Sequence, residues 1–176
     1  MRPWRSPSIQ TYKLQTPTVA IQRTLVLLKP DSVQRGLVGT ILSRFENKGL
    51  KLVALKLRQF PRDVMERHYE PHKERPFYPG LVKYMTSGPV VALALEGVDA
   101  IEVVRGLMGA TNSRKAATGT IRGDFSMSFS NNLVHGSDGP ESAARELGIF
   151  FGDAKEVVEW TPSSLPWLYN AAEELN

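Results

Sequence analysis

Cysteine is absent from the 176-residue chain. That excludes disulfides, thiolate nucleophiles and zinc–cysteine sites. Histidine is scarce, with only His68, His72 and His135. No apolar run approaches the roughly 20 residues needed to span a bilayer, so no membrane span is expected. The phosphate-binding glycine signatures are also missing. Gly36-Leu37-Val38-Gly39 lacks the Gly-Lys-Ser/Thr ending of a Walker loop. There is no Gly-x-Gly-x-x-Gly, and Gly123-Asp124-Phe125-Ser126 has none of the partner motifs of a protein-kinase Asp-Phe-Gly. Charge bias is weak: of the net +4, three charges belong to Arg2, Arg5 and Lys13 in an acid-free stretch, residues 1–22. The rest is nearly neutral, which argues little for a nucleic-acid surface.

What remains is an ordinary globular composition and a length that fits one domain. Residues 1–22, with Pro3, Pro7 and Pro17, show no period and are expected to form an irregular extension. The apolar run Arg23–Leu28 suits a central buried strand ending in Lys29-Pro30-Asp31. Leu37, Val38, Ile41, Leu42 and Phe45 share one helical face. A strand is expected over Leu50–Leu57, a helix from Pro61, a short helix through Leu81 and Met85, and a buried strand over Val90–Leu95. Asp99 with Glu102 fits a capping box for a helix bearing Ile101, Val104 and Met108. Alternating residues Asp124–Ser130 predict another strand, and Asp138 with Glu141 predicts the cap of a final helix. The order β-α-β-α-β-α-β, with extra helices, favours an α+β fold: a ferredoxin-like antiparallel sheet of βαββαβ type covered by helices. A doubly wound α/β sheet is the alternative. The aromatic, proline-bearing tail Trp160–Tyr169 is expected to lie against protein, on its own domain or a neighbour.

His135 is the centre of the chemistry. It sits in Asn132-Leu133-Val134-His135-Gly136-Ser137-Asp138, on a tight connection between strand and helix. Glu146 borders the buried stripe Ala143, Leu147, Phe150 of that helix, and a carboxylate there needs a partner. His135 is the candidate: a carboxylate on one ring nitrogen fixes the tautomer and leaves the other free to attack. The aperiodic stretch Thr111–Arg122 supplies hydroxyls, glycines, Arg114, Lys115 and Arg122, the groups that bind phosphate. Phe77 and Tyr78 suit either the core or a stacking surface.

Lys29-Pro30-Asp31, His68-Tyr69, Arg75-Pro76-Phe77, Ser87-Gly88-Pro89-Val90, Gly119-Thr120-Ile121-Arg122-Gly123-Asp124-Phe125 and the His135 motif together resemble the nucleoside diphosphate kinases. The likeness runs from about Arg23 to about Tyr169, so the domain is expected to span 23–170 with a short tail, 171–176. The resemblance implies a ferredoxin-like core, Mg²⁺, and ping-pong transfer of a γ-phosphate between nucleoside tri- and diphosphates (ATP, GTP and others). It implies that His135 is phosphorylated, with Ser137 and Glu146 orienting it and Tyr69 beside it. Arg105, Thr111 and Arg122 would hold the phosphates, and Lys29 and Asn132 the sugar hydroxyls, with Lys29 also close to phosphate. Phe77 would stack on the base beside Leu81. No protein side chain is expected to hold the metal, which the nucleotide phosphates would carry. A homo-oligomer, a hexamer, is implied. Ser32 stands where many members have glycine, and Ser113 and Thr118 where many have prolines, two of them in the loop tied to subunit contacts. A cytoplasmic location is expected; the Arg-bearing extension makes a mitochondrial one the alternative. A non-catalytic binding module of the same fold is the competing function, and the full phosphate constellation around His135 argues against it. Histidine-based hydrolysis of phosphate esters would want further metal carboxylates near the site, and the sequence offers none.

Overall fold

The computed structural model describes residues 21–152 and 155–170. The expected extension lies outside the described residues except for Ile21 and Gln22, which already belong to the first strand; the tail 171–176 lies outside them too. The chain runs β1 (Ile21–Leu28), α1 (Pro30–Gln34), α2 (Val38–Asn47), β2 (Lys51–Arg58), α3 (Arg62–His68), α4 (Tyr78–Met85), β3 (Val90–Val98), α5 (Ala100–Met108), α6 (Ile121–Phe125), β4 (Val134–Gly136), α7 (Pro140–Phe151) and α8 (Leu165–Leu168). The four strands are antiparallel in the order β2-β3-β1-β4. This is the ferredoxin-like sheet, with α3 and α4 inserted between β2 and β3.

The near-continuous apolar runs of β1 and β3 follow from burial on both sheet faces. Leu25, Leu27, Ala92 and Ala94 join one cluster with Met65, Val82, Phe150 and Phe151 of α3, α4 and α7. Val26, Leu28, Leu93 and Leu95 point the other way, into Ile41, Phe45, Val104 and Met108 of α2 and α5. Polar pairing secures one end of the sheet. Glu96 of β3 accepts from Arg23 on one neighbouring strand (2.5 Å) and from Lys51 on the other (2.7 Å).

Three local expectations are corrected. Asp124–Ser130 is not a strand: its start ends α6, and Ser126–Asn131 is irregular. The serine hydroxyls bond to nearby backbone, Ser126 Oγ to Asn131 O (3.0 Å) and Ser128 Oγ from Asn131 N (3.0 Å), which replaces a ladder. Met127 and Phe129 consequently face outward. Asp99 does not cap α5 with its side chain; it takes a left-handed conformation with φ 49°. At α7 the N-cap is Gly139, and Ser142 rather than Glu141 closes the turn, accepting from Gly139 N (3.0 Å). The sequence pattern also gave no sign of α1.

The tail folds back on its own domain. Trp160 Nε1 donates to Leu52 O (3.1 Å), Val158 N donates to Val53 O (2.8 Å), and Tyr169 Oη accepts from Val98 N (3.3 Å). Trp167 stays 91% exposed.

Phe45 is fully buried and fixes α2 to the sheet. Phe45→Ala is expected to cost about 3–5 kcal/mol in urea unfolding. A loss below about 1 kcal/mol would show that this face is not close-packed.

Candidate active site

His135 lies inside β4, not after a strand, and pairs with Leu27 of β1. Alternation sends Val134 into the α2/α5 face and His135 to the opposite one, beneath α3 and α7. Gly136 follows because α5 comes so close: a Cβ there would lie 2.7 Å from Met108 Sδ. On α7, Glu146 is 4% exposed, and its Oε2 accepts from Ser137 Oγ (2.7 Å) and meets His135 Nε2 at 3.1 Å. Ser137 is held in turn by Leu25 N (3.3 Å). An ionised carboxylate only accepts, so this contact places the proton on Nε2 and leaves Nδ1 with its lone pair. The His135 side chain is 24% exposed and opens into a cavity of about 1010 Å³.

His68 supports His135 from below. Their rings meet edge to face, centroids 4.7 Å apart, and Tyr69 packs against His68 at 4.3 Å. Neither nitrogen of His68 has a hydrogen-bond partner; its Nδ1 is 3.9 Å from Glu146 Oε1. Burial first, and then His135 and Arg145, push its pKa well below the ordinary 6.5. Arg145 lies 3.5 Å from Glu146 Oε1 and donates to His68 O at the end of α3 (3.3 Å).

The far wall is cationic. Lys29 is buried at the end of β1, and its ammonium donates to Asn132 Oδ1 (2.6 Å). Burial first, then the charge of Arg122, lowers its pKa to about 8. Asn132 is fixed by donating to Thr111 O (2.9 Å) and Phe129 O (3.1 Å). Arg122, at the start of α6, donates to the carbonyls of Gly109 (2.7 Å), Val134 (2.8 Å) and Asn132 (3.2 Å). Burial and then Arg105 lower its pKa to about 10. Three of its five N–H groups are thus used, and two remain for a ligand. Arg105 and Thr111 are exposed on the same cavity.

Lys29, Tyr69, Arg105, Thr111, Arg122, Asn132, His135 and Glu146 therefore line one cavity. Ser137 is fully buried behind Glu146. Phe77 and Leu81 do not line it. Phe77 is 54% exposed, its ring 5.8 Å from that of His72, which does line the cavity; Leu81 packs on the α3/α4/α7 cluster. His68 entered the sequence reading through the motif His68-Tyr69, with no role given to it, and Arg145 gave no signal there. The neighbour of a buried, paired glutamate on α7 was the place to look.

A family model described as nucleoside diphosphate kinase matches residues 22–156. A nucleoside diphosphate kinase of Archaeoglobus fulgidus is 53% identical over 149 residues, 85% of this chain and 98% of that protein. One of Thermoplasma acidophilum is 56% identical over 140 residues, 80% of this chain and 94% of that protein. Among solved structures, the halophilic nucleoside diphosphate kinase of Halobacterium salinarum in complex with CDP superposes with a TM-score of 0.83 at 46% identity. That match covers 86% of this chain and 100% of the other. A nucleoside diphosphate kinase family protein of Babesia bovis gives 0.81 at 44% identity, covering 84% and 99%.

The depressed pKa of His68 has a consequence for stability. Above pH 6.5 it is neutral folded and unfolded alike; below, the unfolded chain takes up the proton first and stability falls. Between about pH 7.5 and pH 5, the wild-type Tm is expected to drop more than that of His68→Phe. Equal drops would show His68 protonated in the folded protein.

Proposed function

The chain belongs to the nucleoside diphosphate kinase family, and from that membership we propose ping-pong transfer of the γ-phosphate of a nucleoside triphosphate to a nucleoside diphosphate through a phosphohistidine at His135. The observation that carries the proposal is the Glu146–His135 contact through Nε2, which leaves Nδ1 as the nucleophile. The Nδ1 lone pair attacks the γ-phosphorus, the bond to the bridging oxygen breaks, and the nucleoside diphosphate leaves. Nε2 keeps its proton, so the phosphorylated ring gains positive charge, which Glu146 stabilises. A terminal oxygen of the acceptor diphosphate then attacks the phosphorus, and Nδ1 departs with its electron pair.

Charge on the transferring group is spread over its oxygens, so positioning and cations do most of the work. Arg105, Thr111 and the two unused N–H groups of Arg122 hold phosphate. Lys29 and Asn132, already bonded to each other, hold the sugar hydroxyls, with Lys29 also near phosphate. Tyr69 walls the histidine, and Ser137 orients it through Glu146. Phe77, beside His72 and with Leu81 one turn on along the chain, offers a ring face near the cavity. Stacking reads no base edge, so purine and pyrimidine nucleotides are all substrates. The CDP in the halophilic relative is one such diphosphate.

Mg²⁺ fits this site as an ion carried by the nucleotide. The one tight cluster of potential ligands among the described residues is His68, His135 and Glu146, and its two imidazoles do not suit a hard ion. Asp138, exposed on the cavity and held below the usual carboxylate range by Ser142, is an available oxygen ligand. When bound, Mg²⁺ neutralises charge on the phosphates.

Incubation with γ-labelled ATP and Mg²⁺ is expected to give an acid-labile phosphoprotein that is discharged by added nucleoside diphosphate. His135→Asn should abolish both steps with the fold intact. Glu146→Gln should slow transfer by roughly 10–10³-fold, since orientation is only part of the effect. Substantial activity in His135→Asn would overturn the assignment.

The kinase domain is assigned to residues 23–170, and the location is proposed as cytoplasmic. No helix among the described residues is long and apolar enough to cross a membrane. The mitochondrial alternative turns on the extension, residues 1–22, of which 1–20 lie outside the described ones. The assembly is proposed as a homohexamer. Edge strand β2 supports association, with Leu55 and Leu57 half exposed, as does the bare Trp167. Light scattering is expected to give six times 19.6 kDa. A chain ending at Glu159 should melt lower, having lost the Trp160 and Tyr169 contacts. An active, stable full-length monomer at micromolar concentration would refute the hexamer.

A further inference from the structure

Leu133 is fully buried and has φ +67°, one of two non-glycine residues with positive φ among the described residues. Val134 N donates back to Asn132 O at 2.8 Å, so Leu133 is the centre of a three-residue turn. With positive φ this is the rare, strained form of the γ-turn. Such a conformation persists only where its surroundings over-determine it.

Those surroundings come from one short stretch after β1. Lys29 N and Ser32 Oγ both donate to Leu133 O, at 2.8 and 2.6 Å. The Asp31 carboxylate accepts from Leu133 N through Oδ2 (3.1 Å), and its Oδ1 accepts from Tyr84 Oη of α4. Both backbone groups of a strained residue are thus tied to residues 29–32. The turn separates Asn132, bonded to Lys29, from His135, in register with Leu27. Nothing in the transfer scheme uses Asp31 or Tyr84.

We propose that Asp31, braced by Tyr84, is a positioning residue: it holds the strained turn at Leu133 and so sets the spacing between the sugar-binding pair Lys29–Asn132 and the nucleophile His135. Ser32 Oγ, beside the Lys29 amide, adds a second donor to the Leu133 carbonyl. The proposal rests on the transfer scheme above for its kinetic consequence, but the clamp itself has a readout of its own, the exchange of the Leu133 amide proton.

The test compares Asp31→Ala, Asp31→Asn and Tyr84→Phe, each alone, and Asp31→Ala combined with Leu133→Gly or Leu133→Ala. Amide exchange at Leu133 by NMR, kcat and KM, and the preference for a diphosphate with a 3′-hydroxyl over its 3′-deoxy analogue are measured on each. Asp31→Ala is expected to release the Leu133 amide to exchange and to lower kcat/KM by about 10–100-fold, the scale of a misplaced reacting group. The preference for the 3′-hydroxyl should shrink with it. Asp31→Asn, which keeps one acceptor oxygen, should fall between, and Tyr84→Phe should lie closer to wild type.

In the Asp31→Ala background, Leu133→Gly should be several-fold more active than Leu133→Ala. Both remove the buried side chain, but only glycine takes positive φ without cost. A folded Asp31→Ala with a protected Leu133 amide, or with wild-type constants and 3′-hydroxyl preference, overturns the proposal, as does equality of the glycine and alanine pairs. If Asp31→Ala or the paired variants do not fold, Asp31→Asn and Tyr84→Phe decide by the same readouts, and wild-type values in both overturn it. A wild-type protein that forms no phosphoenzyme refutes the transfer scheme and not the clamp, which amide exchange then judges by itself.

Discussion

A carboxylate removed from water must be hydrogen-bonded or paired, and the arrangement around Glu146 follows from that constraint. The residue is on α7 because its helix buries Ala143 and Phe150 against the sheet, and position 146 lies on the edge of that stripe. Its oxygens then recruit partners from elsewhere in the chain: Ser137 just after β4, His135 within β4, and Arg145 from its own helix. Each partner serves the carboxylate, and the carboxylate fixes the tautomer of the proposed nucleophile. His68 completes the arrangement by contact of rings rather than by hydrogen bonds. Being held neutral, it adds no positive charge beside the ring of the proposed nucleophile.

The same sheet explains why the site is on β4. Strands β1 and β3 are covered on both faces and leave no room for a ligand. β4 has three residues and one neighbour, so His135 is held by the ladder while its side chain still opens into the cavity. A short edge strand gives rigidity without burial. A longer β4 would extend the ladder past Asn132, and Asn132 could then not turn back toward Lys29.

Much of the fold was legible because its signals were of the strongest kinds. The runs at Arg23–Leu28 and Val90–Leu95 are central strands, and the apolar faces of α2, α5 and α7 follow the helical period. The failures share a cause: polar side chains that bond locally. Ser126 and Ser128 satisfy nearby backbone, so an alternating pattern became a loop. Asp99 carried the right residue type for a cap and took a left-handed conformation instead. For the site, the gathering of Lys29, Tyr69, Arg122, Asn132, His135 and Glu146 was anticipated, and they do line one cavity. Less legible were contacts that depend on tertiary approach. The Arg122 guanidinium is more than half committed to three carbonyls, and Phe77 stands at the rim, not in the wall.

The cationic wall is an unresolved conflict within the folded chain. Lys29 and Arg122 are both buried, and each is pushed toward its neutral form, first by desolvation and then by another cation. Asn132 and the carbonyls around Arg122 offer dipoles, not charge, so they soften the repulsion without cancelling it. A fold that keeps two such groups together gives up stability for them. Under the proposed transfer, the nucleotide phosphates would bring negative charge to the place where these cations converge. The charge repulsion between these two cations thus sits in the same site as the conformational strain at Leu133.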